Sequence, residues 1–208
     1  MRRNRTAVVL MLWLAGACNR VEAEGDAMDR PDDEGVELTW TLRQDPDGRR
    51  LRIDYRITNT TGGDIYVADQ LLAYHEGKTK LVPDRVVVTA GDQPDTIRFV
   101  RGIVDTGTTR MDHAPGAYQV KSGASHVGTA AVPLPLKGWH NYGAPPRIPQ
   151  APVRTRLEIA YLKGDAIEWG RVTTSDGIHV TVPQLGSYHR FARLAVGRSL
   201  PLPEKPSR

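Results

Sequence analysis

The sequence predicts an all-β protein, built as one antiparallel β-sandwich of about eight or nine strands. Three observations carry this prediction. The dominant apolar period is two, as in Leu51-Arg52-Ile53-Asp54-Tyr55-Arg56-Ile57-Thr58, where every second residue is apolar. Side chains of a strand alternate between faces, so such a run has one buried and one solvated face. Glycine and proline make up 35 of the 208 residues, which suits a turn-rich domain and is too few and too aperiodic for a collagen-like or low-complexity chain. No long amphipathic helical stripe and no strand–helix–strand rhythm occurs, which argues against a parallel α/β sheet.

The elements follow in order. Val36-Glu37-Leu38-Thr39-Trp40-Thr41-Leu42 alternates like 51–58, and Asp45-Pro46-Asp47-Gly48 joins the two as a tight turn. Asn59-Thr60-Thr61-Gly62-Gly63 is the next turn and leads into Ile65-Tyr66-Val67. Further strands are expected at 85–89, 96–103 and 126–134. Arg154-Thr155-Arg156-Leu157-Glu158-Ile159-Ala160-Tyr161-Leu162 alternates again. Ser175-Asp176-Gly177 lies between Val172-Thr173-Thr174 and Ile178-His179-Val180-Thr181-Val182 as a hairpin signal. A last strand is expected at 188–196, and 198–208 reads as a frayed Pro-rich tail. Ile53, Tyr55, Ile57, Leu157, Ile159 and Tyr161 should face inward, with Arg52, Arg56, Arg156 and Glu158 facing water.

Ahead of the sandwich, which this reading places at 36–197, two segments have a different composition. Arg2, Arg3 and Arg5 precede the apolar run Ala7-Val8-Val9-Leu10-Met11-Leu12-Trp13-Leu14 and the small residues Ala15-Gly16-Ala17. This is the pattern of a bacterial export signal, 1–17. The eleven residues 7–17 are too few to span a hydrocarbon core, which takes about 20. Residues 19–37 hold eight acids against Arg20 and Arg30, a net charge of −6 with almost no apolar content. Such a segment cannot bury enough surface to order itself and should be a solvated tether, a calcium-binding arm being the sharper alternative. The rest, 38–208, carries 23 basic against 16 acidic residues, spread along the strands. There is no basic run and no aromatic–basic interleaving, so no nucleic-acid partner is expected.

Leu14-Ala15-Gly16-Ala17-Cys18 resembles the lipobox of bacterial lipoproteins. The resemblance implies cleavage before Cys18, lipidation of Cys18 and attachment of residues 18–35 to a membrane as a lipidated tether. Ala15 stands where leucine is commonest, and Ala15-Gly16-Ala17 also reads as an ordinary secretory cleavage site at the same bond. Cysteine usage separates the two: Cys18 is the only cysteine, and a lipid accounts for both its presence and its place. Asn19 follows the cysteine in place of the aspartate linked to inner-membrane retention in enteric lipoproteins, so the resemblance implies the outer rather than the inner membrane. The run from Leu51 to Val67 resembles the second and third strands of immunoglobulin-like domains in bacterial envelope proteins. Leu134-Pro135-Leu136-Lys137-Gly138-Trp139-His140-Asn141-Tyr142 is similar to a stretch of uncharacterised exported bacterial proteins. These resemblances imply an Ig-like sandwich of the cell envelope and bring no activity with them.

The common catalytic and nucleotide-binding signatures are missing: no Gly-x-Ser-x-Gly, His-Glu-x-x-His, Gly-x-x-x-x-Gly-Lys or Gly-x-Gly-x-x-Gly occurs. Ser125 and His126 are adjacent, but neighbours in a strand point to opposite faces. No two of the six histidines share a strand-face or helix-turn spacing. A blue-copper site would need a cysteine inside the domain, and only Met28 and Met111 remain after cleavage for a thioether site. No cofactor and no metal are therefore expected. The candidate binding residues are Met111, Asp112 and His113 in the loop 104–116, and Trp139, His140 and Tyr142 in the Pro-rich loop 137–152. Sixteen aperiodic residues are long for a connection, and such loops are often functional. The bland readings are a polar turn at 111–113 and a Trp139 that plugs one end of the sandwich. The function these features point to is a lipid-anchored binding or structural module with an envelope protein as partner. An envelope enzyme or metal-handling factor with its site at those two loops is the alternative, and docking through an exposed edge strand is a third.

Overall fold

Where the sequence alternates, the chain pairs. The computed structural model describes residues 35–102, 115–138, 147–149, 152–184 and 192–203, and among them every element is a strand. They are β1 (Val36–Gln44), β2 (Arg50–Asn59), β3 (Ile65–His75), β4 (Lys78–Val82), β5 (Val87–Ala90), β6 (Thr96–Arg101) and β7 (Gly116–Val120), then β8 (Ser125–Pro133), β9 (Arg154–Lys163), β10 (Trp169–Thr173), β11 (His179–Pro183), β12 (Arg193–Val196) and β13 (Leu200–Pro201). No described helix is long and apolar enough to cross a membrane.

Two sheets form. The smaller has the order β1-β2-β8 and is antiparallel throughout. The larger has ten strands organised around β9. Glu158 pairs with both Val100 and Val196, and Tyr161 with both Val67 and Arg193. Hence β6 and β3 lie end to end along one edge of β9, and β12 and β13 lie along the other. The β6–β9 pair is parallel, the exception in an otherwise antiparallel architecture. From β3 the sheet continues through β7 and β11 to β10.

The core lies between the sheets. Leu51, Ile53, Tyr55 and Ile57 of β2 meet Leu157, Ile159 and Tyr161 of β9, with Trp40, Val67, Phe99 and Val132 around them. All six residues expected to face inward are buried, and Arg52 and Arg56 face water. Glu158 is a correction. It lies on the non-core face of β9 as the alternation requires, yet it is 1 % exposed. A central strand has neighbours on both edges, and burial of this carboxylate is balanced by Arg98 and Arg156.

The strand count is also corrected: thirteen are described, not eight or nine. The additions have physical reasons. β3 continues to His75 and turns straight into β4, because Glu76 and Gly77 both adopt positive φ, 50° and 77°, as a two-residue hairpin needs. β7 is built on Gly116, Ala117 and Gln119, which give no clear alternation. The Pro-rich tail does not fray at its start: Leu200–Pro201 pairs with β9, and Leu200 joins the core. The turns anticipated at 45–48 and 175–177 form, with Gly48 N donating to Asp45 O and Gly177 N to Thr174 O.

Candidate functional site

Alternation marks three inward positions that hold ionisable side chains instead of apolar ones: Asp69 on β3, Arg101 on β6 and His126 on β8. The structure brings them together with Tyr55 of β2 at the interface of the two sheets. The β3–β7 register slips between Val67 and Gln70, so that residues 68 and 69 oppose Ala117 alone. Asp69 lies within this bulge and is 5 % exposed. There Asp69 Oδ2 accepts hydrogen bonds from Tyr55 Oη at 2.7 Å and from His126 Nε2 at 2.5 Å. The Arg101 guanidinium lies beside the pair, 5.4 Å from the Tyr55 ring centre. It donates to the carbonyls of Asp69, Pro83 (2.5 Å) and Thr129 (2.8 Å). Gly128 makes room for the phenol, since a Cβ there would sit 2.1 Å from Tyr55 Oη.

Electrostatics fix the protonation states. Burial alone would raise the Asp69 carboxyl, but the His126 bond and charge, the Tyr55 hydroxyl and Arg101 outweigh it and hold Asp69 below the usual carboxylate range. Asp69 is therefore an ionised acceptor, and His126 Nε2 carries the proton it shares. Burial, opposed by Arg101 and reinforced by Asp69, pushes the Tyr55 phenol well above its ordinary range, so it stays a neutral donor. Asp69 Oδ1 and Arg101 Nε are buried without a hydrogen-bond partner. Outside the cluster, Tyr118 stacks on His126 at 4.5 Å between ring centres and is 50 % exposed.

Chemically the arrangement is a clasp. Tyr55, His126 and the Thr129 carbonyl belong to the small sheet; Asp69 and Arg101 belong to the large one. An Asp–His pair is also two-thirds of a nucleophilic triad, but the adjacent Ser125 hydroxyl lies on the other face of β8, 3.0 Å from Thr58 Oγ1. Among the described residues no group of three or more His, Cys, Asp or Glu could hold a metal ion.

A second buried carboxylate, Glu158, forms a surface network. Arg98 donates to Oε2 at 2.6 and 2.9 Å, Arg156 to Oε1, and Arg156 Nη2 reaches Asp92 at 2.8 Å. Asp92 also lines a groove of about 390 Å³ between Ala90–Pro94 and Arg147–Pro149. Residues 147–149 of the 137–152 loop lie here, with Ile148 packed against the core.

The candidates Cys18, Met111, Asp112, His113, Trp139, His140 and Tyr142 lie outside the described residues. The Tyr55–Asp69–Arg101–His126 cluster was not anticipated from the sequence. Its signal was there, as charges at inward positions of alternating strands. Their mutual contact was not, because the separations run from 14 to 57 residues for the two bonds to Asp69 Oδ2. No protein-family model matches this chain, and no curated protein or solved structure is found to be similar to it.

Proposed function

We propose that the chain is an exported, lipid-anchored protein of the bacterial cell envelope, whose Ig-like sandwich acts as a binding or structural module for an envelope protein partner. The observation that carries this reading is the run Leu14-Ala15-Gly16-Ala17-Cys18, which ends on the only cysteine of the chain. A thiol placed after a basic and apolar leader, and nowhere else, suits acylation better than disulfide or metal chemistry. Residues 19–35 then serve as a spacer to β1, which begins at Val36. The cross-sheet clasp supports a scaffold role, because its acid, its base and its cation are all engaged in joining the two sheets. Met111–His113 and Trp139–Tyr142 are the proposed contact residues, since loops on a rigid sheet scaffold commonly carry recognition. Asn19 favours the outer membrane.

Fractionation of cells expressing Cys18→Ala tests the anchor. The variant should move from the membrane to the soluble fraction and lose incorporation of labelled palmitate, since stable anchoring rests on the acyl chains. Unchanged membrane association would overturn the reading.

A further inference from the structure

The small sheet presents one face to the core and leaves the other open to solvent. On that open face β2 places Arg50, Arg52 and Arg56, all exposed, and β1 adds Arg43. Arg43 and Arg52 stand directly opposite each other in the register. Like charges so placed repel, and one acid, Asp54, is shared between them. Arg50 and Arg56 have no ion-pair partner among the described residues. Among the arginines lie the short side chains of Thr39, Thr41 and Thr129, and Val127, 59 % exposed, stands opposite Arg56. Glu37 is the other acid on this face, at the end where the chain enters. Arg50 to Arg56 covers about 20 Å at the strand rise of ~3.3 Å per residue, longer than one phosphate group can bridge.

We propose that this arginine face docks flat on a membrane surface of anionic phospholipid headgroups. Guanidinium forks match phosphate oxygens in bidentate geometry, and the spread of Arg50 and Arg56, with Arg43 and Arg52 sharing Asp54 between them, fits an array of phosphates rather than a single one. The proposal rests on the lipid-anchor reading for its geometry: a 17-residue segment from Cys18 to Val36 reaches at most ~60 Å, so the face can lie on the bilayer that holds the anchor. Arg50 and Arg56 then find a counter-charge that no ion pair among the described residues supplies.

Vesicle co-sedimentation tests it with the processed chain, residues 18–208 carrying Cys18→Ala, which contains every described strand and no acyl group. Failure here leaves the anchor reading to its own fractionation experiment. Vesicles containing phosphatidylglycerol should bind, and pure phosphatidylcholine vesicles should not. Arg50→Gln/Arg52→Gln/Arg56→Gln should lose binding on the order of 100-fold, at about fivefold per arginine near the surface. The off-face pair Arg154→Gln/Arg171→Gln should leave it within about twofold, since charges held more than a Debye length from the membrane are screened. If the triple variant melts well below the parent, Arg56→Gln alone carries the test with its expected fivefold loss. No binding to anionic vesicles, an equal loss in the off-face pair, or binding of duplex DNA as tight as that of vesicles would each overturn the proposal.

Discussion

Asp69 and Glu158 are both buried carboxylates, 5 % and 1 % exposed, but they are compensated in opposite ways. Glu158 is neutralised within one sheet, by Arg98 on the adjacent strand and by Arg156 two residues away on its own. Both guanidiniums keep about a quarter of their side chain in water, and Arg156 has Asp92 as a second partner. Asp69 is bonded across the sandwich by Tyr55 of β2 and His126 of β8, while the nearby cation Arg101, on β6 of its own sheet, is 2 % exposed. The first arrangement can rehydrate if one member is lost. The second has no such route, because its charges sit where the two sheets close on each other. The comparison teaches that burial of a carboxylate by itself says little about stability; what matters is whether its partner can return to water.

Truncation of each carboxylate is the strongest way to break this comparison. Asp69→Ala should cost about 3–5 kcal/mol, since it leaves the buried Tyr55 hydroxyl and His126 Nε2 without their acceptor and removes the carboxylate whose charge offsets nearby Arg101. Glu158→Ala should cost about 1.5–3 kcal/mol, the scale of hydrogen bonds to charged groups, because Arg98 and Arg156 can turn to solvent. Urea unfolding of the two variants side by side gives both numbers. Equal costs would mean that the clasp is no tighter than the surface network.

Gly128→Ala is the next probe, and it touches only the Asp69 side of the comparison. The added methyl meets Tyr55 Oη and Cζ at 2.1 and 2.2 Å, so the phenol must move away from Asp69. A cost of about 1–3 kcal/mol is expected from overpacking, measured by the same unfolding curves. A fully tolerated alanine would show that the phenol has another place to go.

The smallest effects are those of a single hydrogen bond and of pH. Tyr55→Phe should cost about 1 kcal/mol. Asp69 has a folded-state pKa below its ordinary value of 3.8, so its contribution is fully present above that value. The contribution is lost as pH falls through the lower folded value. Stability of the parent should therefore drop in this acid window, and Asp69→Asn should remove part of the drop. Urea midpoints followed from neutral pH into acid measure it; identical pH profiles for parent and variant would show that Asp69 carries no proton linkage.

Much of this molecule was legible along the chain because strand side chains alternate regardless of what lies on either side. The faces of β2 and β9, the turns at 45–48 and 175–177 and the inward set from Ile53 to Tyr161 all follow from that local rule. The proposed leader and the proposed lipid site at Cys18 rest on composition and order alone. Alternation also puts Asp69, Arg101 and His126 at inward positions, a signal that the assignment of sites from the sequence did not use. It did not pair them, because their contacts depend on which strands become neighbours and on a bulge at Val67–Gln70 that no local signal announced. Glu158 was misplaced for the same reason. Facing away from the core means facing water only at an edge or on an uncovered sheet, and whether a strand is central is decided by pairings such as β6–β9 and β12–β9. The period of two chooses the side of the sheet; tertiary structure chooses what covers that side, and so decides which charges must find partners.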